Sequence, residues 1–187
     1  YDNEKLCLAY VRFDNYEDVM KGMSETTRAN ISGEVNEVLS KWAEEENGFI
    51  SRSNKELCLI GFNQAVLRDL MEQKFPVLDS VREIHVGNKI TPTVSIGIAC
   101  EGDNLEELSQ NAVKALDLAL GRGGDQVVVA VDGGTQFFGG TTTVTAKSTR
   151  VRARIVAHTI HEQIIAADKV FVMGHMMEDF DSIGSAI

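Results

Sequence analysis

Basic charge is scarce in this sequence. Lysine and arginine number 18 against 28 aspartates and glutamates, a net charge of −10 over 187 residues. That deficit argues against a nucleic-acid polymer as partner and against a polybasic membrane patch, both of which need clustered cations. It leaves room for small phosphorylated ligands, whose charge a metal ion can neutralise together with the protein's own. Cysteine is scarce too. Cys7, Cys58 and Cys100 each fall in an apolar run. An odd number without paired spacing reads as reduced core thiols of a cytosolic protein, not as a disulfide framework. No apolar run reaches the ~20 residues of a membrane-spanning helix. There is no signal-peptide pattern and no internal repeat. The chain opens on Tyr1 and stops soon after Asp181, so the expectation is a piece excised from a longer protein.

Hydrophobic residues, at 43%, suffice for a core. Residues 5–13, "KLCLAYVRF", are apolar on both faces and predict a central strand ending at Asp14. Ile31, Val35, Val38, Leu39 and Trp42 predict a helix over 26–47, with Thr26 or Thr27 as N-cap and Asn47-Gly48 as its stop. "FISR" and "ELCLIGF" flank "SNK" as a β-hairpin. A helix is expected from residue 63, with Val66, Leu67, Leu70 and Met71 on one face and Pro76 near its end. Residues 82–100 predict a strand pair turning at Gly87-Asn88. An amphipathic helix over 104–121 follows, striped by Leu105, Leu108, Ala112, Ala115 or Leu116, and Ala119 and capped by Gly121. "QVVVAV" is a further strand. The Gly- and Thr-rich stretch 132–147 reads as a strand end and connector, 148–168 as a helix, and "KVFVMG" as the first strand of a second unit. The fold class is α+β, an α/β sandwich with helices flanking a mixed central sheet.

Several local patterns invite a functional reading. "GGTTTVTAKS" lacks the spacing of a phosphate-binding loop, since no glycine precedes Lys147. "GRGGD" at 121–125 lies after a helix, whereas a nucleotide cradle opens one; it reads as a cap and tight turn. His158 and His161 are one turn apart but lack a third ligand. Arg150 and Arg154 share a helical face and fit intramolecular ion pairs or a phosphate. Asp14, at a strand's C-terminal edge opposite the "SNKEL" hairpin, fits either a ligand-side carboxylate or a simple turn residue. The densest constellation is the last. After a strand, Gly174-His175 and Asp179-x-Asp181 present one imidazole and two carboxylates, a donor set suited to Mn²⁺. Ser182 and Gly184 then begin a helix.

"VFVMGHMMEDFDSIGSAI" resembles the first motif of the DHH phosphoesterases, G-H-x-x-x-D-x-D-S-x-G-x-A. The resemblance implies that His175, Asp179 and Asp181 are Mn²⁺ ligands. Met177-Glu178 stands where that family often has Asn-Pro. The residues before it resemble a GGDEF-type domain, the diguanylate cyclase fold. "AYVRFDNYEDV" is similar to its first strand with a metal-binding Asp at Asp14. "TPTVSIGIA" and "LEELSQNAVKALDLALGRGGDQVVV" are similar to a later strand and the terminal helix with its turn. The signature hairpin has become "SNKEL". Ser53 and Asn54 replace its paired glycines, Lys55 replaces its first acid, and Glu56 alone is kept. A cation where a metal ligand is needed should abolish cyclase chemistry.

A degenerate GGDEF domain followed by a DHH domain is the order of the GdpP-type cyclic-di-AMP phosphodiesterases. The resemblance implies a degenerate GGDEF-like domain over 1–137, a connector and linker helix over 138–169, and the opening of a DHH domain over 170–187. It implies a longer protein that hydrolyses cyclic-di-AMP to a linear dinucleotide with Mn²⁺, held at the cytoplasmic face of a bacterial membrane by N-terminal helices absent here. It also implies a regulatory or nucleotide-binding role for the GGDEF-like domain, with ATP and Mg²⁺ as candidate ligands near Asp14 and Glu56, or a purely structural role in homodimerisation and signal transmission. This stretch alone is expected to be inactive as a phosphodiesterase.

Overall fold

The computed structural model describes residues 5–87, 90–131, 134–140 and 164–165. The chain divides into two units, Tyr1–Ser148 and Thr149–Ile187. In the second unit residues 164–165 are helical with exposed side chains. The rest of the expected helix 148–168, with Arg150, Arg154, His158 and His161, lies outside the described residues. So do the strand at 170–173 and His175, Asp179 and Asp181.

In the first unit β1 (Leu6–Phe13), β2 (Phe49–Arg52), β3 (Leu57–Asn63), β4 (Val94–Ala99), β5 (Gln126–Val131) and β6 (Gly134–Gly139) form one six-stranded sheet. Its order is β2-β3-β1-β4-β5-β6. β4 and β5 run parallel, and every other neighbouring pair is antiparallel. The mixed sheet of the expected α+β class is therefore present. β4 is buried at every position, as a strand covered on both faces must be. The helices are α1 (Tyr16–Met20), α2 (Glu25–Glu45), α3 (Gln64–Glu72), α4 (Val77–Arg82) and α5 (Leu105–Gly121).

Strand alternation divides the core. Cys7, Ala9, Val11 and Phe13 of β1 join Ile31, Val35, Leu39 and Trp42 of α2 and Val77, Leu78 and Val81 of α4 in the larger cluster. Leu8, with Tyr10 packed beside it, turns to the opposite face and meets Leu108 and Ala112 of α5. That helix approaches closely because of its small residues and Gly97. A Cβ on Gly97 would lie 2.0 Å from the Leu116 backbone nitrogen and 2.4 Å from the Ala112 carbonyl oxygen. Leu105 does not join the stripe; it is 63% exposed at the helix start.

Four expectations are corrected. The N-cap of α2 is Ser24, whose hydroxyl accepts from the Thr27 N–H at 3.2 Å; Thr26 and Thr27 lie inside the helix. The helix expected from residue 63 breaks in two. Lys74 and Phe75 adopt left-handed backbone at φ 58° and 56°, and Pro76 then caps α4. Burial of Phe75 (1% exposed) against Phe138, with ring centroids 5.1 Å apart, holds this break in place. Among the described residues of 82–100 only β4 is a strand, and Asn88 of the expected turn lies outside them; β6 forms one edge of the sheet. Finally, Cys7 and Cys100 are paired as a disulfide, and Cys58 alone is a buried free thiol. The register explains the pairing. Leu8 sits opposite Ala99 across antiparallel β1 and β4, so the next residues outward face one another with Cα atoms 4.2 Å apart.

Candidate functional site

β1 delivers its last residues into two different environments. Phe13 donates its N–H to the Glu56 carbonyl at 2.8 Å, and Asp14 donates its own to the Thr93 carbonyl at 2.9 Å. The end of β1 is therefore fastened between the hairpin and the approach to β4. Asn15 adds a second tie: its amide donates to the Thr91 carbonyl at 2.8 Å and accepts from the Thr93 N–H at 3.2 Å.

The Asp14 carboxylate points into the turn after α5. Its Oδ2 accepts from the Asp125 N–H at 2.8 Å. Its Oδ1 and the Ser95 Oγ are both enclosed. Removal from water raises the Asp14 pKa to about 7; the Asp125 N–H and the Ser95 and Thr93 hydroxyls oppose the rise, and the Asp125 carboxylate adds to it. The turn must be glycine here. Gly124 has φ +74°, and a Cβ on it would stand 2.9 Å from Asp14 Oδ2. The tight turn expected at "GRGGD" is present, with positive φ at Gly123 and Gly124, but the expected cap is corrected: Gly121 is the last residue of α5 and Arg122 is its C-cap.

Asp125 is the hub of that turn. It is 1% exposed and has φ 55°. Arg82 of α4 reaches both its carboxylate oxygens from Nε, at 2.8 and 3.1 Å, and its carbonyl accepts from the Gly140 N–H at 2.9 Å. Burial pushes the Asp125 pKa up and Arg82 pulls it back. Through its side chain and its carbonyl this one residue joins α4, the start of β5 and the end of β6.

The hairpin tip, residues 53–56, is built differently. Asn54 Oδ1 accepts from the N–H groups of Glu56 and Leu57 at 2.8 and 2.9 Å, an Asx arrangement that closes the turn through a side chain. The Glu56 carboxylate lies 3.5 Å from Arg12 Nη2. Arg52, the last residue of β2, bridges to α2. Its guanidinium donates to Asn36 Oδ1, to the Asn36 carbonyl at 3.1 Å and to Ser40 Oγ at 2.9 Å. Between hairpin and helix lies a narrow cleft lined by Ser32, Asn36, Arg52, Asn54, Lys55 and Glu56 over a floor that includes Val11, Phe13 and Cys58. Its volume is about 20 Å³, room for about one water molecule. Burial raises the Cys58 thiol pKa to about 11, opposed by Arg52, so this cysteine is an inert part of the floor.

Asp14 and Glu56 are therefore given separate partners. One carboxylate is turned into the 121–125 turn and the other is paired with Arg12. Among the described residues no three His, Cys, Asp or Glu side chains converge as a metal ion requires. The donor set around Asp14 and Glu56 does not fit a divalent cation: one carboxylate is enclosed and the other carries its own cation. Sequence reasoning passed over Arg12, Arg52, Arg82 and Asp125. The first two had a legible signal, as cations beside Asp14 and "SNK"; Arg82 and Asp125 are 43 positions apart and had none.

Similarity to known proteins agrees with this architecture. The GGDEF domain of DgcB from Caulobacter crescentus superposes with a TM-score of 0.57 over 67% of this chain and 77% of its own, at 18% identity. A diguanylate cyclase/phosphodiesterase from Caldicellulosiruptor saccharolyticus gives 0.59 over 72% and 82%, at 17% identity. At such identities the likeness establishes the fold, that of the GGDEF domains. The sequence goes further. Residues 11–137 match the GGDEF domain of the cyclic-di-AMP phosphodiesterase GdpP-like family, and the chain belongs to that family. It is 40% identical over its whole length to the cyclic-di-AMP phosphodiesterase GdpP of Bacillus subtilis (strain 168), spanning 28% of that relative. It is 38% identical to the cyclic-di-AMP phosphodiesterase PdeA of Listeria monocytogenes serotype 1/2a, spanning 29% of it.

Proposed function

We propose that this chain is the regulatory GGDEF-like part of a longer cyclic-di-AMP phosphodiesterase, without diguanylate cyclase activity of its own. The observation that carries the reading is the hairpin. Ser53, Asn54 and Lys55 stand where the cyclase signature has two glycines and an acid, and the remaining Glu56 is held by Arg12. The relatives act on cyclic-di-AMP by name. Residues 170–187 are assigned to the opening of a DHH domain, with His175, Asp179 and Asp181 as Mn²⁺ ligands. The ions would supply Lewis-acid stabilisation of the phosphoryl group. The longer protein is placed at the cytoplasmic face of a bacterial membrane. In that protein Asp181→Ala should abolish cyclic-di-AMP hydrolysis with the fold retained, measured by chromatography of the linear product. Detectable Mn²⁺-dependent turnover by the 187-residue chain alone would contradict its assignment as a regulatory part.

Within this reading the cleft beside Glu56 is a remnant nucleotide site, with ATP as the candidate ligand and weak ATPase as the candidate activity. Calorimetry with ATP, with and without Mg²⁺, on the unaltered chain and on Asp14→Ala decides the role of Asp14; equal binding removes it from the ligand set. A second reading is a structural domain that dimerises and transmits motion, with no ligand. The small volume of the cleft and its closure by the Arg52 strap favour it. Analytical ultracentrifugation without nucleotide, showing a dimer that ATP does not alter, would support it.

A further inference from the structure

Charge around the cleft is distributed unevenly. Glu56 is the one acid among the cleft-lining residues, and Arg12, which is not among them, neutralises it at 3.5 Å. Arg52 and Lys55 remain, both exposed. The Arg52 contacts go to neutral acceptors, Asn36 and Ser40, and no described acid lies within ion-pair distance of either cation. Two uncompensated cations thus share the mouth of one cleft in a chain whose net charge is −10. Ser32 and Asn36, four residues apart on one face of α2, line the opposite side with neutral polar groups, and Ser40 follows on the same face as an acceptor for Arg52. The cleft is too narrow to enclose a purine, but a phosphate chain needs only its mouth.

From this distribution we infer that the hairpin cleft binds the polyphosphate of its ligand directly through Arg52 and Lys55, without a divalent metal. The proposal rests on the remnant nucleotide site proposed above, and it inverts the electrostatics of a metal-bridged one. A guanidinium offers a planar fork to phosphate oxygens and an ammonium a mobile point charge. Together they do what a carboxylate-bound metal ion does elsewhere. Arg52 exchanges neutral acceptors on α2 for anionic ones, so ligand binding also loosens the strap between β2 and α2.

The test is titration of the 187-residue chain with inorganic tripolyphosphate and with ATP, each in EDTA and in Mg²⁺. Both ligands should bind in EDTA and weaken as salt rises. Arg52→Ala and Lys55→Ala should each weaken binding about tenfold, the loss of one charge-assisted contact. Among the described residues the Lys55 side chain makes no hydrogen bond or ion pair that its removal could break, so Lys55→Ala separates ligand contact from folding. Glu56→Gln should tighten binding, because it removes the one negative charge at the mouth. If binding requires Mg²⁺ and Glu56→Gln weakens it, the metal-free proposal is overturned while the nucleotide reading survives. If tripolyphosphate binds in EDTA and ATP does not, the anion site stands and the nucleotide reading falls. If neither binds, both fall.

Discussion

The backbone N–H of Asp125 donates to Oδ2 of Asp14 at 2.8 Å, joining residues 111 positions apart. This contact fastens the end of β1 to the turn between α5 and β5. It also encloses a carboxylate whose pKa rises to about 7 from an ordinary 3.8. A carboxyl of raised pKa holds its proton in the folded state while the unfolded chain has released it. Between about pH 4 and 7 stability should therefore fall as pH rises, and the loss should be complete above 7. The expected amplitude is on the order of a few kcal/mol. Urea midpoints measured across this range check it. Asp14→Asn keeps an acceptor for the Asp125 N–H and removes the charge, so it should flatten most of the slope and be the more stable form at pH 8. An unchanged slope would mean the carboxylate is better solvated than the structure shows.

Arg82 and Asp125 form the next test. Removing the cation leaves the carboxylate of a residue only 1% exposed without its charged partner. Arg82→Met should cost about 3 kcal/mol or more at neutral pH. The double variant Arg82→Met, Asp125→Asn should recover part of that loss, because no buried charge is then stranded. Chemical denaturation of Arg82→Met, of Asp125→Asn and of the double variant gives the coupling directly.

Gly97→Ala should be among the most damaging single-methyl additions. The new Cβ would meet backbone atoms of α5 at 2.0 and 2.4 Å, and backbone cannot rotate away as a side chain can. The helix must lift off the sheet, with a loss of about 3 kcal/mol or more. Thermal unfolding should show it, together with weakened near-ultraviolet dichroism if Tyr10 loses its 2.9 Å hydrogen bond to Ser109.

Asn54→Gly restores a glycine of the cyclase signature, yet it should destabilise the domain by about 1 kcal/mol. The Asn54 side chain now accepts two backbone N–H groups, and glycine would leave both to water while freeing the unfolded chain. A gain in stability would show that the Asx contacts contribute nothing.

Much of this architecture is legible in the sequence because its signals are local. Alternation and helical spacing announce β1, the β2–β3 hairpin, α2, α5 and β5. The glycines that follow α5 mark their own turn. Lys55 in the hairpin marks the departure from the cyclase signature by charge alone. The misread segments are those where packing overrides local pattern. The break at Lys74 and Phe75 is held by a buried ring. The edge strand β6 lies in a Gly- and Thr-rich stretch, with glycine at both its ends, and is aligned by β5.

What the sequence by itself determined is the family, the sheet-and-helix pattern and the degeneracy of the hairpin, because these depend on residue type and on spacings shorter than one element. Tertiary structure alone decided where each functional group points. Asp14 turns into the Asp125 turn, Glu56 is matched to Arg12, Arg52 straps β2 to α2, and Cys7 finds Cys100. These pairings are set by strand register and the crossing of distant elements. Their energies depend on burial and on charge separations of a few ångströms, which linear spacing does not encode.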